Sequence, residues 1–107
     1  MGWDAFAQHK HLHLPAFENI STNVRRKCGG VDGGLGEGWL DCSACAHALE
    51  QATGVSPWGE NWPAQRVLFL HQIADWSKAT GECWAVESAR AFLFICALKE
   101  LEIHFSW

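Results

Sequence analysis

The longest stretch of helical hydrophobic spacing runs from Cys83 to Leu101. At roughly 100° per residue, Ala85, Val86, Ala89, Phe92, Leu93 and Cys96 fall on one broad face of a helix. Trp84, Ala91, Phe94, Ile95 and Leu98 fall largely on the opposite side, with Glu87, Ser88, Arg90 and Lys99 in the sectors between. A helix apolar on two sides is one that other elements pack around, so this segment is expected to be the buried centre of the fold. Its uninterrupted apolar run, Ala91 to Leu98, is far short of the ~20 residues of a bilayer span and is closed by Lys99 and Glu100.

Two further helices follow from the same period. Asp41 is placed as an N-cap, with Cys42, Cys45, Ala46, Leu49, Ala52 and Thr53 down one face and Gly54 as a left-handed terminator. After the turn-rich connection from Ser56 to Pro63, a helix is predicted from Pro63 to Thr80, with Val67, Leu70, Ile73, Ala74 and Ser77 inward and Gly81 at its end. A fourth is predicted nearer the N-terminus, where Pro15 precedes Phe17, Ile20, Val24 and Cys28 at helical intervals. Arg25, Arg26 and Lys27 suit the carbonyl end of its dipole, and Gly29 and Gly30 stop it.

The two chain ends carry the other period. Trp3 and Ala5 alternate with Asp4 and Phe6, and His9, His11 and His13 alternate with Lys10, Leu12 and Leu14. In the tail, Ile103, Phe105 and Trp107 alternate with Glu102, His104 and Ser106. A lone strand leaves its backbone groups unpaired, so the N- and C-terminal segments are expected to form a small antiparallel sheet. The predicted fold is α+β and mostly helical: one domain over residues 1–107, with four helices organised around the buried C-terminal one. Six glycines among the ten residues from Gly29 to Gly38 are read as a loop.

Composition narrows the functional classes. With 19% charged residues and a net charge of -4, the chain lacks the basic field that would hold a polyanion, and Arg25-Arg26-Lys27 reads as a solvated helix end. Five cysteines, an odd number, and no apolar region after a basic start argue for free thiols in a reducing cytoplasm. No lipidation pattern anchors the chain to a membrane.

Cys42-x-x-Cys45, with Cys28 and either His47 or Cys83, has the donor types of a tetrahedral zinc centre. On a helix, however, Cys42 and Cys45 share a face with Leu49, while His47 lies about 140° from Cys42. The competing reading is that they are small core residues. Cys42 in a first helical turn also invites a redox or nucleophilic role, against which the glycine loop provides no preceding strand and no histidine motif marks a base. The row of His9, His11 and His13 is either a metal-binding face or a solvated strand. The glycine loop has no Gly-Lys-Ser/Thr, and Asp32 and Glu37 stand where phosphate would bind.

Seven tryptophans in 107 residues are the compositional oddity. Trp76, Trp84 and Trp107 fall on predicted elements and are assigned to core or half-core positions. Trp39, Trp58 and Trp62 lie in or beside loops, where they either complete the core at helix ends or form an exposed protein-docking surface.

The opening Met1-Gly2-Trp3-Asp4-Ala5-Phe6, the Gly38-Trp39-Leu40-Asp41-Cys42 junction and the closing Phe105-Ser106-Trp107 resemble features of small proteins carried by bacteriophages and prophages. The resemblance implies a cytosolic protein of the infected bacterium, of the kind that includes anti-CRISPR and other anti-defence inhibitors. It carries over no site residue. Together these readings predict a non-enzymatic inhibitor, without cofactor, that occupies the surface of a nucleic-acid-binding host defence complex. Trp39, Trp58 and Trp62 would make the contact with Asp32, Glu37 and Glu60, the acidic face meeting a basic groove. The alternative is a small zinc- or thiol-dependent regulator built on Cys28, Cys42, Cys45 and a histidine. Neither reading involves direct nucleic-acid or membrane binding.

Overall fold

The computed structural model describes residues 3–8 and 38–107. The alternating segments at the two ends do pair: β1 (Asp4–Gln8) lies antiparallel to β3 (Glu102–Ser106), with Ala5 opposite Phe105 and Ala7 opposite Ile103. Trp3, Ala5, Ala7 and Ile103 are buried, while Phe6, Glu102 and Ser106 are exposed, as a half-buried strand pair requires. On the outer face Phe6 and His104 stack, with ring centroids 6.3 Å apart and planes at 4°.

A third strand, β2 (Gly38–Asp41), pairs with the other edge of β1, giving the order β2-β1-β3. It was not anticipated. Four residues beside a glycine-rich run carry too little alternation to register as a strand, and only β1 supplies the ladder that fixes them. The consequence is that Asp41 is not the N-cap of the next helix; it pairs with Asp4 in the sheet, and Cys42 takes the cap position.

Helix α1 (Ser43–Thr53) buries Cys45, Ala46, Ala48, Leu49, Ala52 and Thr53, and ends as expected at Gly54 with φ 77°. The predicted 63–80 helix divides. Helix α2 (Ala64–Ile73) buries Val67 and Leu70, and a 3-10 turn follows at Trp76–Lys78. Asp75 causes the break: its carboxylate accepts from the Ser77 N–H at 3.1 Å and the Ser77 hydroxyl at 2.5 Å, and its own N–H donates to Ala52 O at 2.9 Å. Short polar side chains that bond the local backbone favour such turns over helix interiors. Ile73 and Ser77, read as inward, are therefore exposed.

Helix α3 (Cys83–Leu98) packs against α1 and α2, and its inner face is the predicted one: Ala85, Ala89, Phe92, Leu93 and Cys96 are fully buried. A left-handed Glu100 at φ 55° turns the chain, and Leu101 N donates to Cys96 O at 2.9 Å, before β3 begins. The described residues thus hold three α-helices rather than four. The helix predicted over residues 17–28, the histidine row at 9–13 and all of the predicted 29–38 loop except Gly38, which opens β2, lie outside the described residues. No described helix is long and apolar enough to cross a membrane.

The free edge of β3 is covered by residues 61–62. Trp62 exchanges two backbone hydrogen bonds of 2.9 Å with Ile103, and Asn61 Oδ1 accepts from Phe105 N at 3.2 Å. Trp62 sits edge-on to Phe105, with centroids 4.9 Å apart, and Phe105 stacks on Trp3 at 5.9 Å. Trp58 leans on Trp3 at 6.3 Å, and Trp3 Nε1 donates to Pro57 O at 3.0 Å. Trp62→Ala should lower unfolding stability by about 3–5 kcal/mol, read as a shift of the urea midpoint. An unchanged midpoint would place this indole outside the core.

The Ser77 donors, first the hydroxyl and then the N–H, hold the Asp75 carboxyl below its ordinary value, with a smaller contribution from Lys78 and against a small desolvation effect. A depressed folded value stabilises above the unfolded pKa and is lost as pH falls through the folded one. The stability difference between the native chain and Asp75→Ala should therefore be largest near neutrality and narrow in acid, measured by thermal melts across the acid range.

Candidate functional site

Two of the three loop tryptophans are drawn toward the core rather than set out as a surface. Trp62 is fully buried, because it bridges to Ile103 and packs on Phe105, and Trp58 is half-buried between Trp3 and the His47 ring, 4.9 Å away. Glu60 is exposed as expected. The Trp39 backbone lies in β2 opposite Phe6, and Asp32 and Glu37 lie outside the described residues. What the structure brings together here is an aromatic core of Trp3, Trp58, Trp62 and Phe105, not a docking face.

Exposed apolar side chains group instead on α3, which corrects the expectation that other elements pack around both of its apolar sides. Its second apolar side is only partly covered: Trp84, Ala91 and Ile95 are half-buried, but Phe94 is 47% and Leu98 60% exposed, and Leu68 of α2 beside them is 40% exposed. These three, with Ala91, Ala97 and His71, line two adjoining hollows that share His71 and Phe94, of about 340 and 500 Å³. Glu87, Arg90 and Glu100 form the rim. His71 faces the Phe94 ring with centroids 5.6 Å apart, and its Nδ1 is buried without a hydrogen-bond partner. Phe69 and Ile73 are also exposed, but at roughly 100° and 140° around α2 from Leu68 they sit on another flank.

The second feature is the cysteine pair at the start of α1. Cys42 Sγ and Cys45 Sγ are 3.7 Å apart, Cys42 half-exposed and Cys45 fully buried. A strand does precede them, since β2 ends one residue before Cys42. The one-residue passage from strand to helix holds Cys42 at φ 93° and ψ 144°, a region that is essentially glycine-only and costs a side chain of order 1–3 kcal/mol. The Cys42 N–H donates to Trp3 O at 3.1 Å, and no side chain caps the helix. The remaining donors of the expected zinc set are dispersed. His47 is turned to Trp58, Cys83 is exposed with its Sγ 3.5 Å from a Glu87 oxygen, and Cys28 lies outside the described residues. Among the described residues no three of His, Cys, Asp and Glu are grouped to hold a metal. Cys96 is fully enclosed in the core, and burial pushes its thiol well above its ordinary value.

No family model, curated protein or solved structure matches this chain. The functional reading therefore rests on the groove between α2 and α3 and on the cysteine pair.

The backbone at position 42 makes its own prediction. Cys42→Gly should stabilise the fold by about 1 kcal/mol by removing the strain. Cys42→Ala, which keeps a Cβ at the same φ, should give no such gain. Denaturant midpoints of the two variants side by side are the measurement, and equal midpoints would show that no strain is held there.

Proposed function

We propose that this chain is a non-enzymatic protein-binding domain that takes up an amphipathic helix of its partner in the groove between α2 and α3. The observation that carries the reading is the outward side of α3, where Phe94 and Leu98 stand about half exposed beside Leu68. Each apolar Å² left in water forgoes roughly 25 cal/mol, so a row of large side chains along a groove is a site of unrealised contact. Two helices flanking a shallow trough match the helix-in-groove mode, in which a partner inserts apolar residues at i, i+3 or i+4 and i+7. The rim carries two carboxylates, Glu87 and Glu100, against one cation, Arg90, and with a net charge of -4 this balance favours a partner helix with basic flanks.

Within this reading the narrower function is inhibition of a host defence complex by occupation of its surface, on behalf of a phage or prophage. Its support is the resemblance at residues 1–6, 38–42 and 105–107. The contact moves from the loop tryptophans to the helical groove, while the mode of action, blocking without catalysis, stays the same.

Phe94→Glu and Leu98→Glu place a charge in the trough without entering the core, so both should fold with nearly native melting temperatures. Affinity capture from bacterial lysate with the native chain, the two groove variants and Phe69→Glu as a control should yield a protein bound by the first and last. The groove variants should lose it by at least about 30-fold, the size of a hot-spot loss. Equal capture by Phe94→Glu and Leu98→Glu would discard the groove as the binding surface.

A further inference from the structure

We infer that Cys42 and Cys45 form a two-electron thiol/disulfide couple that exchanges with low-molecular-weight disulfides, Cys42 as the attacking sulfur and Cys45 as the resolving one. Three features of the pair carry this. The sulfurs are already 3.7 Å apart, against about 2.0 Å in a disulfide, so rotation about the side-chain bonds closes the gap within one helical turn. The two sulfurs differ in access: Cys42 is half-exposed at the strand-to-helix junction, and Cys45 lies wholly within the core beside Ala46 and Leu49. An incoming disulfide therefore meets Cys42 first, and the mixed disulfide it leaves is within reach of Cys45 alone among the described thiols. Cys83 opens α3 and is exposed, and Cys96 is buried near the other end of that helix. The backbone is the third feature, because the Cys42 N–H is tied to Trp3 O and the Cys42 carbonyl accepts from the N–H groups of Cys45 and Ala46 at 3.1 and 3.3 Å. Both residues are thereby held in register while the sulfurs react.

The exchange balances in two steps. The Cys42 thiolate, its proton released to water, attacks one sulfur of R–S–S–R; the Cys42–S–R bond forms, the R–S–S–R bond breaks, and one RS⁻ leaves and takes up a proton. The Cys45 thiol then loses its proton to water and attacks Cys42 Sγ, forming the Cys42–Cys45 bond and expelling the second RS⁻, which is protonated in turn. Two protein thiols are oxidised and one external disulfide is reduced to two thiols.

The experiment equilibrates the full chain in glutathione buffers of increasing GSSG:GSH ratio, quenches by alkylation, and maps each cysteine by peptide mass. The expected result is a single intramolecular Cys42–Cys45 disulfide whose ratio to the dithiol scales with the GSSG concentration divided by the square of the GSH concentration, as a two-electron couple requires. Cys45→Ser should trap one glutathione on Cys42, and Cys42→Ser should trap none at position 45. On the native reduced chain, limiting iodoacetamide should label Cys42 at least about tenfold faster than Cys45, which keeps the test open if either serine variant fails to fold. Cys83, exposed and alone, serves as the reference for a mixed disulfide that finds no resolving thiol. The inference is overturned if Cys42 and Cys45 both remain alkylatable at the most oxidising ratio, if either pairs with Cys28, Cys83 or Cys96, or if glutathione lodges on Cys45 in place of Cys42.

Discussion

The pairing of β1 with β3 is the constraint on which the other described elements depend. It joins Asp4 to Ser106, almost the full length of the chain, and sets β1 as the central strand with β2 on its other edge. Closing so long a loop is entropically costly, though the cost rises only with the logarithm of its length. Several interactions offset it together: the backbone ladder, the stacking of Trp3 on Phe105, and the bridge of Trp62 to Ile103 that gives the outer edge of β3 a partner. An edge strand left open would present unpaired N–H and C=O groups to other chains. Here Asn61 and Trp62 use those groups, and the indole fills the space beneath. The small residues of β1 fit the same plan, since Ala5 and Ala7 are fully buried on the inner face between β2 and β3.

This geometry explains why Trp58 and Trp62 lie toward the core. Trp58 and Trp62 sit in a turn-rich connection, which the sequence presents as surface. That connection is the element that lies along β3, so its aromatic residues meet the core from the edge of the sheet. Local pattern carries no information about which strand edge a loop will cover. The inverse holds for α3. Its second apolar side was legible in the residues, but whether another element covers such a side depends on the number and length of its neighbours. Helix α2 stops at Ile73 where a longer helix was expected, because Asp75 bonds to Ser77. Leu68 and His71, upstream of that break, already flank Phe94 and Leu98, which stay about half exposed because α2 lines only one side of them.

What could be read from the chain were the periodic features: α1 and its Gly54 terminator, the inner face of α3, and the pairing of the two end segments. These depend on residue spacing and on a single conformational demand at glycine, both of which are local. The strand β2 was not legible, since four residues beside a glycine run acquire their conformation from β1 and not from their own side chains. Missing it had a chemical consequence. With a loop before Cys42, the Cys-x-x-Cys pair looked like two core residues on one helical face; with a strand there, the first cysteine stands at a junction and only the second is enclosed.

The junction also bears on why a cysteine stands at position 42. Passing from β2 to α1 in one residue requires a positive φ, and glycine adopts it without the strain that any Cβ incurs. The backbone alone therefore favours glycine, in a chain that places six of them just upstream. A side chain held at a conformational cost is retained for what the side chain does. The thiol packs partly against the core, but it caps no amide of α1. Its one neighbour of chemical note is the Cys45 sulfur at 3.7 Å. The strain at Cys42 and the proximity of the two sulfurs are thus two aspects of one feature, a tight turn that presents one thiol to solvent directly above another that solvent does not reach.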